Sequence, residues 1–504
     1  MVSKTPLSPD LGPESPPGQD SEFVWTNRHV MALLVLCAAQ MLEAIDVTVV
    51  NVALPTIKTS LHFSEADLQW VVNAYTVLFG GFLLLGGRSG DLLGRRRVMI
   101  GGLSLFTVAS LACGLSQNAG MLVGTRALQG LAAGFIAPMT LAMLTQIFPQ
   151  GPARNKAVAI WGAVAAVSGS LGLIIGGLFV AGPGWSWVFY VNIPIGVLMI
   201  LGALRYLSPD RPTQRRRRFD VIGAITSTCG LSVFTYAVVQ TSTHSWSSGR
   251  TIGLLIAAVV LLGYFVVHEN VFSKEPLVPF VLFKNRTVTG ANVVQALATS
   301  GLFVMFYVAT LFMQQVLHYS AIKTGVLYLP CTISLVVFAA IVPPLLPKLG
   351  VRWVTVIGCA IASAGLFLYS GISTDKGVMA NFIIPSLFLS LGLALASIPI
   401  TVAAVHGVES ALTGVASGMV NVTRTIGGSL GLAIISTVAA SKTSDLLGTG
   451  ESPNTALTDG FQLAFRISAV LMAIAGIAAI AFFRNEARGE KVDLTALATA
   501  GIDE

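Results

Sequence analysis

The stretch LEAIDVTVVNVALP, residues 42–55, decides how the chain is read. It lies in an apolar run that starts near Val30 and is long enough to cross a bilayer as a helix, which takes about 20 residues. Yet it carries two carboxylates, Glu43 and Asp46, three residues apart. A charged side chain at the bilayer centre costs about 2.5–3.5 kcal/mol on insertion scales, so groups kept there need partners or a function.

The rest of the chain shares this character. Of its 504 residues 54% are hydrophobic and 11% are charged, with a mean hydropathy of +0.78. An ordinary soluble domain has about 25% charged residues, and 11% is too few to cover a water-soluble surface of this size. The apolar blocks are continuous and do not alternate as β-barrel strands would. The fold class is therefore an all-α polytopic membrane protein. The net charge of +7 does not point to nucleic acid, because the charges sit in short loops between apolar blocks, the pattern of membrane topology. The five cysteines (Cys37, Cys113, Cys229, Cys331, Cys359) all fall in apolar blocks without CxxC spacing. They read as small buried residues, so no disulfide and no metal is expected.

Fourteen blocks are long enough to span: 30–55, 67–87, 98–116, 121–147, 156–181, 187–207, 220–240, 250–267, 288–315, 323–346, 353–371, 378–405, 411–438 and 460–483. An even number puts both termini on one side. With that side cytoplasmic, the inner segments hold 22 of the 30 Lys and Arg residues. The outer segments hold only Lys58, Arg250, Lys323, Lys376 and Lys442, while Arg126, Arg424 and Arg466 remain within blocks. This asymmetry orients both termini to the cytoplasm of a cell membrane. Residues 1–27 are rich in Pro and Ser and read as a disordered cytoplasmic tail, without the pattern of a cleaved signal peptide.

Three pairs of segments repeat in order at nearly one offset. LGRRRVMIGG (93–102) matches LGVRWVTVIG (349–358), SGSLGL (168–173) matches GGSLGL (427–432), and PMT (138–140) matches PIT (399–401). Each pair is shifted by eight blocks. The chain thus divides into an N-terminal six-helix bundle (28–207), a basic linker (208–219), two inserted helices (220–268), a second linker (269–287), a C-terminal six-helix bundle (288–483) and a tail (484–504). Two related bundles suggest a transporter with its substrate site between them near the midplane.

GRSGDLLGRRR (87–97) resembles the loop motif of the major facilitator superfamily, G-x-x-x-D-R-x-G-R-R/K, through Gly87, Asp91, Gly94, Arg95 and Arg96, with Leu92 in place of an Arg. IDVTVVNVALP (45–55) and WSWVFYVNIPIG (185–196) resemble motifs of its 14-helix drug:proton antiporter branch. The resemblance implies a major facilitator fold and a conformational latch, in which Asp91 meets the N-terminus of a C-bundle helix around Ser410 to Thr413. LVGTRALQG (122–130) resembles the branch's block 4 motif with an intramembrane Arg. Counted at about 1.5 Å per residue, Asp46 and Arg126 lie at depths about one helical turn apart, if the first helix ends near Pro55. An ion pair or shared hydrogen-bond network between them is expected. SGSLGLIIGG (168–177) resembles the antiporter motif of block 5 through Gly172, Gly176 and Gly177, a close-packing seam and hinge, with Leu173 replacing the family's proline.

The remaining polar residues in the blocks are candidates to line the substrate cavity: Asn73, Tyr75, Gln129, Trp161, Asn292, Gln295, Gln315, Asn421 and Arg424. For most of them, hydrogen bonding between helices is an equally good reading. A carboxylate in low dielectric favours its protonated form and can hold and release a proton. Asp46 is therefore the expected proton carrier and Arg126 its tuning partner. Glu43, on nearly the same helix face, is a second proton site or a contact for a cationic substrate. The expectation is a monomeric proton-coupled antiporter that exports small amphipathic molecules. The chain carries no phosphate-binding loop of the G-x-x-x-x-G-K-[ST] type and no catalytic cluster, so no enzyme activity and no cofactor are expected. An uptake symporter is the alternative, since the block 5 proline is missing; a membrane enzyme and a non-transporting receptor fit less well.

Overall fold

The structure, a computed structural model, describes residues 25–149, 152–208, 220–241, 244–273, 276–408 and 410–483. The expected terminal tails and the basic linker fall almost wholly outside these residues. The described residues form helices and no strand. Fourteen helices occupy the fourteen expected places. They are α1 (Asn27–Leu61), α2 (Trp70–Leu93), α3 (Arg95–Gly114), α4 (Ala119–Ile147), α5 (Pro152–Ala181) and α6 (Trp187–Tyr206). Then come α7 (Val221–Gln240), α8 (Gly249–Phe272), α9 (Arg286–Val316), α10 (Ala321–Ala339) and α11 (Val342–Tyr369). Last are α12 (Met379–Val405), α13 (Ser410–Gly448) and α14 (Pro453–Phe482). Twelve are long and apolar enough to cross a membrane, and α2 and α5 contain the shorter apolar stretches Trp70–Leu83 and Leu171–Ala181.

Polar side chains start these helices where the bilayer would give way to water. Thr26, Asn118, Asp220, Ser248, Asn285, Ser320 and Ser452 each accept a hydrogen bond from a backbone N–H of the first turn. Each such cap stabilises its helix by about 0.5–2 kcal/mol. Two expected boundaries differ. The first helix continues past Pro55 to Leu61 and ends at His62 in the left-handed region, with φ 56°. The helical path after α10 resumes at Val342 and runs to a turn at Gly350, beyond the expected boundary at 346.

The internal repeat is visible in the packing. In the first half α1 packs on α4, α5 and α6, α4 on α2 and α3, and α3 on α6. In the second half α9 packs on α12, α13 and α14, α12 on α10 and α11, and α11 on α14. The two patterns coincide when helix numbers are shifted by eight. Gly94 and Gly350, aligned by the sequence repeat, both take positive φ, at 93° and 74°. Each makes the sharp turn into the third helix of its half, a conformation that favours glycine.

The bundles meet along two seams. On one, α2 lies against α13: Gln69, just before α2, accepts from Ser436 Oγ at 2.8 Å and Asn73 accepts from Ser429 Oγ at 3.1 Å. On the other, α5 meets α10 where Leu173, Ile174 and Gly177 face Ala321, Ile322 and Gly325. A third tie is Gln314 Nε2 donating to the Val52 carbonyl of α1 at 2.9 Å. Most of these contacts lie toward the face opposite the chain termini. The termini side is marked by Arg286 at the start of α9, which donates to the Ala481 carbonyl near the end of α14. The inserted pair packs together, with α7 on α2 and α13. The outer face of α8 exposes Ile256, Val259 and Val260, as a lipid-facing surface requires.

Candidate functional site: a buried ion pair beside an interbundle cleft

Asp46 of α1 and Arg126 of α4 form an ion pair, Nη1 to Oδ2 at 2.5 Å, with 0% and 1% of their side chains exposed. Coulomb attraction alone does not hold a pair out of water unless the remaining hydrogen-bonding capacity is also used. Here it is used. Asp46 Oδ1 accepts from Asn192 Nδ2 of α6 at 2.7 Å and from Gln129 Nε2 at 3.1 Å. Arg126 Nε donates to the Val71 carbonyl of α2 at 2.9 Å, and its Nη1 also donates to Gln129 Oε1 at 2.8 Å. Ser110 of α3 accepts from Gln129 at 2.7 Å, and the Cys113 thiol donates to Gln129 Oε1 at 3.1 Å. The guanidinium lies over the Tyr75 ring at 4.4 Å and the Phe189 ring at 5.8 Å. Five helices of one bundle thus converge on a single charge pair.

The pairing does not follow from matched depth. Because α1 runs to Leu61, Asp46 is about 22 Å from the end of its helix at ~1.5 Å per residue, while Arg126 is only about 10 Å from the start of α4. The long Arg side chain and the placement of α1 in the bundle bring the charges together. Glu43 also differs from expectation. Although only about 60° round the helix from Asp46, it takes no part in the network. It is 8% exposed, and its Oε2 has no hydrogen-bond partner.

The cavity candidates divide into three groups. Gln129 belongs to the Asp46 network inside the N-terminal bundle and not to a cavity wall. Asn292 and Gln295 are used in packing: Asn292 accepts from Thr423 Oγ1 at 2.8 Å, and Gln295 donates to Thr299 at 3.0 Å on its own helix. Gln315 lies in the last turn of α9 near the face opposite the termini, with Oε1 buried and unpartnered. Asn73 ties α2 to α13. Tyr75 is fully buried and Trp161 half-buried, and neither the Tyr75 hydroxyl nor Trp161 Nε1 has a partner. Asn421 and Arg424 are exposed in mid-helix. On α13, Thr425, Ile426 and Ser429 reach α2, while Thr423, Gly427 and Gly431 reach α9. At ~100° per residue, Asn421 and Arg424 occupy the arc between those contacts, so they face the cleft between bundles and not lipid.

In the expected latch, Gly94 makes its turn and its N–H bonds to the Gly90 carbonyl at 3.0 Å. Arg95 donates to the Ala142 carbonyl of α4 at 3.0 Å, and Arg96 to the Ala203 carbonyl at 3.0 Å and the Leu204 carbonyl of α6. These cations complement the carbonyl-rich ends of helices in their own bundle. The side chains of Asp91 and of Ser410 to Thr413 lie outside the described residues, so the expected bridge to the other bundle does too. A Cβ added to Gly87 would touch only Pro138, at 3.7 Å. A Cβ on Gly172 would lie 2.0 Å from Thr48 Oγ1, on Gly176 2.7 Å from the Val49 carbonyl, and on Gly177 2.8 Å from the Ala321 carbonyl. The first two glycines let α5 approach α1, and the third lets it approach α10 in the other bundle. Ser110 and Cys113 were not legible as site residues, because a lone Ser or Cys in an apolar block carries no pattern. Asn192 stood inside a quoted motif, which was the signal that could have found it.

Two related six-helix bundles that meet along α2–α13 and α5–α10 seams, with a buried, hydrogen-bonded charge pair at membrane depth, define a membrane transporter. The chain matches the Major Facilitator Superfamily over residues 36–432, and it belongs to that family. It is 38% identical over 421 residues to the cephamycin export protein CmcT of Amycolatopsis lactamdurans, covering 83% of this chain and 87% of that one. It is 34% identical over 481 residues to the puromycin resistance protein pur8 of Streptomyces alboniger, covering 94% of each. Among solved structures, the POT family transporter PepTSo superposes with a TM-score of 0.65 at 16% identity, covering 90% of this chain and 99% of that one, which shows the shared fold alone. The chain is a multi-pass membrane transporter and not an enzyme.

Proposed function

We propose that this chain is a proton-coupled antiporter of the cell membrane that exports small amphipathic molecules by alternating access. The observation that carries the reading is the Asp46–Arg126 pair, a carboxylate with one dedicated cation in a site shielded from solvent. When Asp46 takes a proton its charge pair with Arg126 is lost, and the bonds from Gln129 and Asn192 must rearrange. Asp46 sits on α1, the same helix that packs on the α5 glycines and accepts the Gln314 bond across the interface at Val52. One helix therefore links the proton site to a contact that must open when the bundles rock. Gly172, Gly176 and Gly177 serve that rocking as a seam on which α1, α5 and α10 slide, and the Gly87, Asp91, Gly94, Arg95 and Arg96 loop latches it.

Export is favoured over uptake because relatives similar along most of the chain are named for antibiotic export or resistance, including cephamycin, puromycin and lincomycin. The Lys and Arg asymmetry supports cytoplasmic termini. Among the described residues the contacts between bundles concentrate on the opposite face, which supports a cleft open to the cytoplasm in this conformation. The test is expression in a host lacking its own efflux pumps, challenged with cephamycin, puromycin, lincomycin and ethidium. Raised resistance to at least one compound, abolished by a protonophore, is expected. Unchanged sensitivity to all, or enhanced uptake, would sink the reading.

A further inference from the structure

Glu43 and Asp46 of α1, Arg126 of α4 and Arg424 of α13 lie well inside their helices, as does Arg466 of α14, which donates to Gln462 Oε1 on its own helix at 3.2 Å. Asp46 and Arg126 are spent on each other. Glu43 and Arg424 remain, one on each bundle. Glu43 is about 24 Å along α1 from Asn27, and Arg424 about 21 Å along α13 from Ser410, at ~1.5 Å per residue. Both helices start on the same face, so the two charges share a level. Neither makes an ion pair or hydrogen bond to a described residue, and Glu43 Oε2 is buried without a partner. The two are thus not in salt-bridge contact. The Tyr75 hydroxyl is also buried and unpartnered, and the Tyr75 side chain shares one buried cluster with Leu42, next to Glu43, and Val422, two residues before Arg424. Phe303 of α9, packed at Gly428 one turn from Arg424, supplies an aromatic surface.

We propose that Glu43 and Arg424 form a two-point site for a zwitterionic amphipath, whose anionic group takes Arg424 and whose ammonium or other cationic group takes Glu43. The Tyr75 hydroxyl completes the bonding around the cationic end, and the aromatic body lies against Phe303. Such a molecule offers each charge its opposite, whereas a simple cation or anion leaves one of the two charges without a partner. Because the two charges belong to different bundles, a bound zwitterion also ties the bundles together, which gives substrate a direct way to favour closure around itself. This inference rests on the exporter reading and narrows its substrate class.

The test uses one aromatic body in three charge states: 2-naphthylalanine (zwitterion), its methyl ester (cation) and its N-acetyl derivative (anion). Binding to the purified transporter in nanodiscs is followed by thermal unfolding and tryptophan fluorescence. The zwitterion is expected to bind at least about tenfold tighter than either relative, the scale of one charge-assisted contact. Glu43→Gln should erase its advantage over the anion and Arg424→Gln its advantage over the ester, while Glu43→Asp and Arg424→Lys keep most of the preference. Equal affinity for all three, preference for a singly charged member, or no binding of the zwitterion at millimolar concentration overturns the proposal. Drug efflux by the wild type in the host assay is read separately. Efflux without charge preference overturns the two-point site alone, whereas absence of efflux removes the exporter reading.

Discussion

Arg126 of α4 and Asp46 of α1 are each other's ion-pair partner at 2.5 Å, in a site that leaves both side chains essentially without solvent contact. Removing one member of such a pair strands the other. Arg126→Ala is expected to destabilise the protein by about 3–5 kcal/mol, and Arg126→Ala with Asp46→Asn by clearly less. Thermal unfolding of the four proteins in detergent, arranged as a double-mutant cycle, checks this; additive losses would mean the pair does not hold the bundle.

The glycine seam makes a positional prediction. A Cβ at Gly176 meets the Val49 backbone of α1, whereas at Gly101 nothing lies within 4 Å. Gly176→Ala should therefore cost about 1–3 kcal/mol through forced separation of α5 and α1. Gly101→Ala should be neutral or stabilising by up to about 1 kcal/mol, the helix preference for Ala. Both are read from unfolding midpoints.

The cleft can be probed from one side. Cys229 is the exposed native cysteine, so Asn421→Cys in a Cys229→Ser background provides a reporter on α13. A membrane-impermeant thiol reagent should label it in inside-out vesicles and not in right-side-out vesicles. Equal labelling from both sides, or labelling from outside alone, would contradict the proposed opening.

Outside the membrane-spanning segments, Asp220 caps α7. Burial raises its carboxyl, but the neighbouring Ser273 side chain, the hydrogen bond from the Gly223 N–H and the His268 ring outweigh that and hold it below its ordinary value of 3.8. A group depressed in the folded state contributes stability that is present above its unfolded value and lost as pH falls through the folded one. The difference in unfolding midpoint between wild type and Asp220→Asn should be full above about pH 4 and shrink below it. A difference that grows on acidification would show the opposite linkage.

Much of the fold was legible because membrane helices must satisfy their backbones internally, so apolar length reads directly as a span. The eight-helix offset between LGRRRVMIGG and LGVRWVTVIG marked a true structural repeat, down to positive φ at Gly94 and Gly350. The Asp46–Arg126 partnership was legible from two isolated charges, although the depth argument for it used a helix end that Pro55 does not make. Proline near the end of a helix gives up one hydrogen bond, and α1 tolerates that. Which way a polar residue faces was not legible. Asn292 and Asn421 look alike in sequence, yet the first is buried and accepts from Thr423 while the second is exposed in mid-helix, because bundle packing sets that choice. Glu43 and Asp46 show the same limit: about 60° of helix rotation separates a charge locked in a network from one left facing the other bundle.

The central claim is that Asp46 carries the proton. The most direct measurement reconstitutes wild type and Asp46→Asn in proteoliposomes with a drug found active in the host assay and an imposed pH gradient. Asp46→Asn is expected to bind the drug and exchange it at equal concentrations, while losing gradient-driven accumulation and drug-induced proton release. Gradient-driven transport with proton release at the wild-type rate in Asp46→Asn would contradict the account.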